Sequence, residues 1–207
     1  MEMREQLTDV RRCPHCSIAS PFLYKVWSSK DAEGTPRTDN RERKAWAVYL
    51  CRTCGGAVSA EAYGRYLNHA ASRIYPTEKQ AHEDIPEIAR TFLQQAYDTL
   101  HAPDAAAVMA GSAVDAMLKD KGYEKGSLYD RIDKALADNV LTHGMAEWAH
   151  SVRLGSNRPR HADAERPHVS HEEARQSVEF AEALGNFLFV LTARIERGIQ
   201  AAKAAEG

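Results

Sequence analysis

Cys13-Pro14-His15-Cys16 and Cys51-Arg52-Thr53-Cys54 are two Cys-x-x-Cys pairs separated by 34 residues. A zinc ion in a protein takes four thiolate or imidazole ligands in a tetrahedron, and each pair supplies two thiolates. The Gly55-Gly56 dipeptide that follows permits the positive φ angle that a tight metal-binding turn needs. We therefore expect one structural Zn²⁺ per chain, held by Cys13, Cys16, Cys51 and Cys54.

Other interpretations of these cysteines are a redox dithiol or two unrelated buried pairs. A redox dithiol is typically a single Cys-x-x-Cys in a strand–helix context, whereas this chain has two pairs. His15 lies inside the first pair and is a further candidate ligand, although four thiolates already complete a tetrahedron. A site closed by four protein ligands has no open position, so we expect it not to be catalytic.

The segments beside the cysteine pairs have the composition of β-strands. Residues 21–27 and 46–50 are rich in aromatic and β-branched side chains, and residues 30–44 between them are polar and charged. The intervening segment, with Gly34 and Pro36, predicts a hairpin tip or loop. Residues 1–60 are thus predicted to form a small β zinc ribbon.

Alanine is abundant after residue 85, and apolar residues recur at helical spacing. Predicted helices start at Pro86, Asp104, Ser127, Thr142 and Ser170, the third and fifth with capping-box signals. The fifth helix carries the longest apolar stripe: Val178, Ala181, Leu184, Leu188, Leu191 and Ile195. Residues 86–207 therefore predict an antiparallel five-helix bundle, and residues 61–85 a connector with a candidate short helix at Glu61–Ser72. The predicted fold class is mainly α.

The composition excludes several classes of protein. Of 207 residues, 43% are hydrophobic and 27% charged, as in soluble globular proteins. No apolar run approaches the roughly 20 residues that cross a bilayer, and no secretory signal is visible, so we expect no membrane association and a cytoplasmic location. Residues 1–75 hold 12 Lys and Arg against 8 acids, and residues 76–207 hold 15 against 21, so neither part indicates nucleic-acid binding by charge alone.

Two clusters of basic residues are candidate contact surfaces. The loop residues Arg37, Arg41, Arg43 and Lys44 lie near Trp46, but Asp31, Glu33, Asp39 and Glu42 dilute their charge, which also fits a solvated loop. Residues 153–171 hold four arginines and three histidines in a predicted turn between the fourth and fifth helices. Guanidinium groups bind phosphate, and histidine moves protons near neutral pH.

The second cluster has two further interpretations. In a purely structural turn, Asn157 would cap a helix end and His161 would bond to the backbone. A second metal site would use His161, Asp163, His168 and His171, which have suitable side chains but no second shell that the sequence reveals.

Residues 75–195 resemble a helical family known as domain of unknown function 4145. The resemblance rests on an alanine-rich helix (Ala105–Leu118), a Leu-x-x-Arg-Ile-x-x-x-Leu helix (Leu128–Leu136) and an Arg…Gly…Asn…His pattern (Arg153–His161). That family resembles the HEPN superfamily and occurs attached to restriction enzymes. The resemblance implies a HEPN-like bundle, a homodimer, and a partner protein in restriction or phage defence.

Many HEPN proteins are metal-independent ribonucleases with an Arg-x(4–6)-His motif at the dimer seam. The resemblance implies His161 as the catalytic histidine, with Arg153 or Arg158 as the arginine and Asn157 beside them. Seven residues separate Arg153 from His161 and two separate Arg158 from it, so neither spacing matches the motif. We therefore expect a module that binds RNA, DNA or a partner protein, with a metal-independent endoribonuclease as the alternative.

Overall fold

The computed structural model describes residues 1–29, 37–39, 41–63, 70–161 and 165–205. The chain divides into two compact units, Met1–Lys79 and Gln80–Gly207, each with its own cluster of buried apolar side chains. Within the described ranges, none of the helices combines the length and apolar content needed to cross a bilayer.

The N-terminal unit is a five-stranded antiparallel sheet with its strands in sequence order. The strands are β1 (Gln6–Leu7), β2 (Leu23–Ser28), β3 (Lys44–Cys51), β4 (Ala57–Tyr63) and β5 (Arg73–Tyr75). In β3 every second residue is buried, including Ala47 and Tyr49, as expected for a strand with one face on a core. The core of this unit therefore lies on one face of the sheet.

The predicted small zinc ribbon is wrong as a description of this unit, which is a curled half-barrel of five strands. β2 and β3 match the two predicted segments, but β4 and β5 were not expected. The core-facing residues of β4 are Val58, Ala60 and Ala62, and alanine is a weak signal for a strand. The candidate helix at Glu61–Ser72 does not start as predicted, because Glu61–Tyr63 belong to β4; residues 64–69 lie outside the described residues.

The second unit contains the predicted five helical rods in its described residues. They are α1 (Glu87–Asp98), α2 (Pro103–Asp120), α3 (Leu128–Ala137), α4 (His143–His161) and a last rod formed by α5 (His171–Gly185), a π-helical segment (Asn186–Val190) and α6 (Leu191–Ala205). Both predicted capping boxes are present: Ser127 exchanges hydrogen bonds with Asp130, and Ser170 with Glu173. These caps define where α3 and α5 begin.

α2 is the central helix and packs against α1, α4 and α5. Its buried residues are mostly alanines, which allow neighbouring helices to approach closely. At Gly111 a Cβ atom would lie 2.5 Å from Ser156 Oγ of α4. α2 and α4 can therefore approach each other this closely only because residue 111 is glycine.

The predicted turn at Arg153–His161 is wrong, because these residues form the second half of α4. Glycine and proline usually disfavour helix, and this half contains both Gly155 and Pro159. However, Gly155 and Ser156 are buried where α4 packs in the bundle, and this tertiary packing outweighs their low helix propensity.

Candidate functional site

The four predicted cysteines come together in the N-terminal unit. Cys51 ends β3 and Cys54 lies in the turn to β4, while Cys13 and Cys16 lie in the connection from β1 to β2. Their sulfur atoms all lie within 4.8 Å of one another, and the Sγ atoms of Cys13 and Cys54 are 3.9 Å apart. All four are free thiols.

This cluster fits a tetrahedral metal ion. Metal–sulfur bonds of about 2.3 Å place the sulfur atoms of a tetrahedron about 3.8 Å apart, close to the distance between Cys13 and Cys54. The Gly56 N–H donates to Cys54 Sγ over 3.4 Å, a type of hydrogen bond that orients a thiolate beside a metal ion. Burial raises the pKa of the Cys13 and Cys16 thiols, so a cation is needed to favour their thiolate forms. The cluster can thus hold a metal ion such as zinc.

The two cysteine pairs form turns of the same design. In the first, the Ser17 N–H donates to the Cys13 carbonyl over 2.9 Å; in the second, the Gly55 N–H donates to the Cys51 carbonyl over 2.8 Å. Gly55 has the positive φ that the sequence predicts, 72°. Ser17 has a φ of 59°, which no residue signal indicated.

His15 connects the two turns without acting as a ligand. Its Nε2 donates to the Ala57 carbonyl over 2.8 Å. Its ring lies directly against Gly56, where a Cβ atom would be 2.5 Å from His15 Cδ2. Gly56 is therefore needed for space, whereas Gly55 is needed for its φ angle.

The outer face of the sheet, opposite its core, carries five aromatic side chains. Residues paired across antiparallel strands share a face, and Trp46 pairs with Glu61 while Lys44 pairs with Tyr63. We call this surface the aromatic face: Tyr24, Trp27, Trp46, Tyr63 and Tyr75. Trp27 is 53% and Tyr63 52% exposed, so these rings are not part of the core of the unit.

Two cations accompany the aromatic face. Lys44 Nζ lies 5.0 Å from the centre of the Tyr63 ring and also pairs with Glu61 over 2.9 Å. The Arg73 guanidinium lies 6.0 Å from the centre of the Tyr75 ring. Two cationic groups thus lie beside aromatic rings on this surface.

The positive charge of the basic loop before β3 is partly offset by an acidic residue of the same loop. Asp39 accepts hydrogen bonds from Arg37 and forms a weaker ion pair with Arg41 over 3.7 Å. The Arg37 guanidinium and the Arg41 N–H hold the pKa of the Asp39 carboxyl down at about 2. These pairs favour the solvated-loop interpretation. Gly34, Pro36, Asp31 and Glu33 lie outside the described residues.

α4 directs the predicted catalytic residues to different surroundings. Arg153 and Asn157 line a cavity of about 920 Å³ in the helical unit. Arg158 donates to Glu173 of α5 over 2.8 Å, and His161 is exposed at the end of α4. No described contact joins His161 to either arginine, and the ribonuclease interpretation stays a prediction.

The candidate second metal site is only partly described. Asp163 lies outside the described residues, and His168 bonds to Asp104 of α2 over 2.7 Å. In the ranges that the structure describes, the four cysteines are the one group of three or more side chains placed to share a metal ion.

The model of a family described as a domain of unknown function, DUF4145, matches residues 94–202, more than half of the chain. The chain belongs to the DUF4145 family. The DUF4145 match runs from within α1 into α6 and contains the cavity-lining residues of α4, whereas the cysteine cluster and the aromatic face lie outside it. Comparisons with curated proteins and with solved structures give no match.

Proposed function

We propose that this DUF4145 protein binds single-stranded nucleic acid through the aromatic face of its N-terminal unit. The observation that supports this most is the set of five aromatic rings on one sheet face, four of them exposed by more than a third. Large exposed apolar patches mark interaction sites. Nucleic-acid bases stack on such rings with little dependence on sequence, because every base has a π face.

The dimensions of the aromatic face suit a short stretch of nucleotides. Its rings lie on β2 to β5, and neighbouring strands are about 4.8 Å apart, so the face is roughly 14 Å wide. Other four-stranded sheets with surface aromatic residues stack two or three bases. We expect a footprint of the same size here.

The charges on this face indicate that stacking contributes more than phosphate contacts. The hydrogen bonds from Lys44 to Glu61 raise the pKa of Lys44 above its ordinary value, and the same carboxylate offsets the charge of Lys44. Arg73 remains as a cation for phosphate. Since each phosphate contact on a single strand contributes about −0.7 to the slope of log K against log salt, one or two such contacts should give a shallow slope of about −0.7 to −1.4.

The structural ion of this module is Zn²⁺ in our proposal. Four thiolates in a tetrahedron suit zinc or iron, and they leave no open position for catalysis. Metal analysis of the purified protein should give one zinc per chain, and Cys54→Ser should lower that content. Iron in its place, or full zinc content in the variant, would contradict the assignment.

Fluorescence anisotropy with a labelled single-stranded RNA of about 12 nucleotides tests the binding proposal. Trp27→Ala and Tyr63→Ala should each weaken binding about 5- to 30-fold, because both rings are exposed and neither supports the core. Phe187→Ala, which removes an exposed ring from the helical unit, is the control and should leave binding unchanged.

Three results would contradict this proposal. One is that the chain does not bind single-stranded RNA or DNA; the aromatic face would then be a surface for a protein. Another is that a duplex of the same sequence binds equally well, because paired bases are not free to stack on side chains. The third is that the two aromatic variants bind like the wild type.

A further inference from the structure

The cavity in the helical unit has no part in the proposal above. Its volume of about 920 Å³ lies within the range of small-molecule sites, and its walls come from α1 to α4 and the residues just before α1 and α3. One part of the wall is apolar and aromatic, with Ile88, Phe92 and Leu128. We call it the α1–α4 cavity.

A second part of the wall, on α4, is basic, although Glu87, Asp115 and Asp120 also line the cavity, and Asp115 pairs with Arg131 and Lys119. Arg153, Asn157 and Arg160 all line the cavity, and their i, i+4, i+7 spacing places them on one side of α4. Arg160 donates to Ser112 Oγ over 2.9 Å, and the Arg153 guanidinium lies 5.3 Å from the centre of the Tyr129 ring.

No carboxylate in the described ranges forms an ion pair with Arg153 or Arg160, in contrast to Arg158, which pairs with Glu173. Of the three arginines that line the cavity, Arg131 pairs with Asp115, and the charges of Arg153 and Arg160 are available to an anion.

Hydrogen-bond donors beside the cavity are also unsatisfied. The Nε atoms of Arg131 and Arg153 are buried and have no partner, although both residues line the cavity. Arg131 is otherwise held in place by Asp115 and by the Glu124 carbonyl. Buried donors are nearly always paired, so these two guanidinium groups keep unused hydrogen-bonding capacity, although their Nε atoms themselves are closed off from the cavity.

Two helix N-termini contribute to the same wall. The first turns of α1, at Glu87–Ala89, and of α3, at Leu128–Tyr129, line the cavity. Helix N-termini carry partial positive charge. At α3 the Ser127–Asp130 capping box already uses this field, whereas α1 has no side-chain cap on its first N–H groups, with Glu87 in its first turn. The α1 N-terminus is therefore the one of the two that can contribute to phosphate binding.

We propose that the α1–α4 cavity binds a mononucleotide. Its phosphates contact Arg153 and Arg160, because guanidinium forks match phosphate geometry. Its base packs on the apolar and aromatic wall at Phe92 and Leu128, which inorganic phosphate would leave unfilled. This proposal concerns a different unit from the aromatic face and does not depend on it.

Isothermal titration calorimetry of the full chain with ADP, GDP, CDP and UDP tests the proposal, with adenosine and pyrophosphate as the two partial ligands. At least one nucleotide should bind ten or more times as tightly as either partial ligand, because only the whole molecule contacts both walls. Absence of heat with all four nucleotides would overturn the proposal. Pyrophosphate binding as tight as that of every nucleotide would overturn it as well.

Variants then connect the binding to this cavity. Arg153→Gln and Arg160→Gln should each weaken nucleotide binding at least tenfold; Arg160 is exposed, so its variant is expected to fold even if Arg153→Gln does not. Arg175→Gln is the matched control, because Arg175 pairs with Glu172 and lies outside the cavity lining. Unchanged affinity in Arg160→Gln would overturn the proposal. Trp27→Ala should bind the nucleotide normally, which separates this test from that of the aromatic face.

Discussion

Ser17 and Gly55 occupy equivalent places in the two Cys-x-x-Cys turns, each four residues after the first cysteine of its pair. Both have positive φ angles, 59° and 72°, and both donate an N–H to the carbonyl of that cysteine. Glycine adopts this conformation freely, whereas a residue with a Cβ atom loses roughly 1–2 kcal/mol. The first turn is therefore strained where the second is not.

Gly55→Ala should destabilise the metal site by about 1–2 kcal/mol, and Ser17→Gly should leave it unchanged or stabilise it. No atom lies within 4 Å of a Cβ at Gly55, so the effect there comes from the backbone alone. Competition with a zinc chelator measures it. Gly144→Ala, in the open on α4, is the control and should not alter zinc affinity. Equal zinc affinity in Gly55→Ala and the wild type would refute the strain argument.

Gly56→Ala should destabilise the N-terminal unit by about 1–3 kcal/mol for a different reason, overlap with the His15 ring. The ring would have to move and lose its hydrogen bond to the Ala57 carbonyl. In the double variant His15→Ala/Gly56→Ala, the two losses should not add, because the overlap is gone. Urea unfolding followed by tryptophan fluorescence gives the free energies of unfolding of the wild type, the two single variants and the double variant. If the losses of the two single variants simply add in the double variant, the contact is contradicted.

Removing the metal should unfold the sheet but spare the helices. Structural zinc contributes about 10–16 kcal/mol in small domains, and the helical unit has a separate core of its own. A strong chelator should therefore abolish the near-ultraviolet circular dichroism of Trp27 and Trp46 while the helical far-ultraviolet signal persists. Cys54→Ser should behave like chelated wild type. Loss of the helical signal on chelation would show that the two units do not fold separately.

Glu173 should make stability depend on pH. The Ser170 N–H and then the Arg158 guanidinium lower its pKa from 4.5 to about 2, so the carboxylate stabilises the fold above its ordinary pKa and this contribution disappears as pH falls towards 2. Glu173→Gln keeps the cap but loses the charge, and should cost about 1–3 kcal/mol at pH 7.

The difference between Glu173→Gln and the wild type should shrink between about pH 4.5 and pH 2, as measured by thermal unfolding at a series of pH values. Glu179→Gln is the control, since that exposed carboxylate on the same helix makes only a long contact of 3.4 Å with Arg175. A gap that stays constant across this range would exclude the proposed role of the charge.

Gly111→Ala should disrupt the packing of α2 on α4, because the added Cβ would lie 2.7 Å from the Ser156 Cβ. We expect a loss of about 1–3 kcal/mol. Ser156→Gly should recover much of it in the double variant, since it vacates the space. Thermal unfolding followed by the helical signal measures both. If the double variant is no more stable than Gly111→Ala, the loss of stability does not come from overlap with Ser156.

Features set by local spacing could be predicted from the sequence. The candidate metal-binding cysteines follow from two short motifs, and the starts of α3 and α5 follow from capping boxes at Ser127 and Ser170. Each cysteine pair and each capping box joins residues only three positions apart, whereas the meeting of the two cysteine pairs depends on the fold.

Features set by tertiary contacts could not be predicted. Arg153–His161 became helix because Ser156 packs on Gly111, a contact between distant parts of the chain. The aromatic face depends on β4 and β5. Because β4 pairs with β3 on one side and with β5 on the other, the ring centres of Trp46 on β3 and Tyr75 on β5 lie 6.0 Å apart. For the same reason, no sequence motif could predict that Arg153 and Phe92 line the same cavity, the α1–α4 cavity.

The last helical rod extends, through α6, beyond the residues that pack in the core of the helical unit. Of the predicted apolar stripe, Leu184 and Leu188 are buried, but Leu191 and Ile195 are about half exposed, and α6 has no buried residue. A bidentate ion pair from Arg197 to Asp84 fastens it part-way along. Amide protons should therefore exchange in a gradient, slowly up to Gly185, faster through the π-helical segment, and nearly at the rate of an open chain after residue 197.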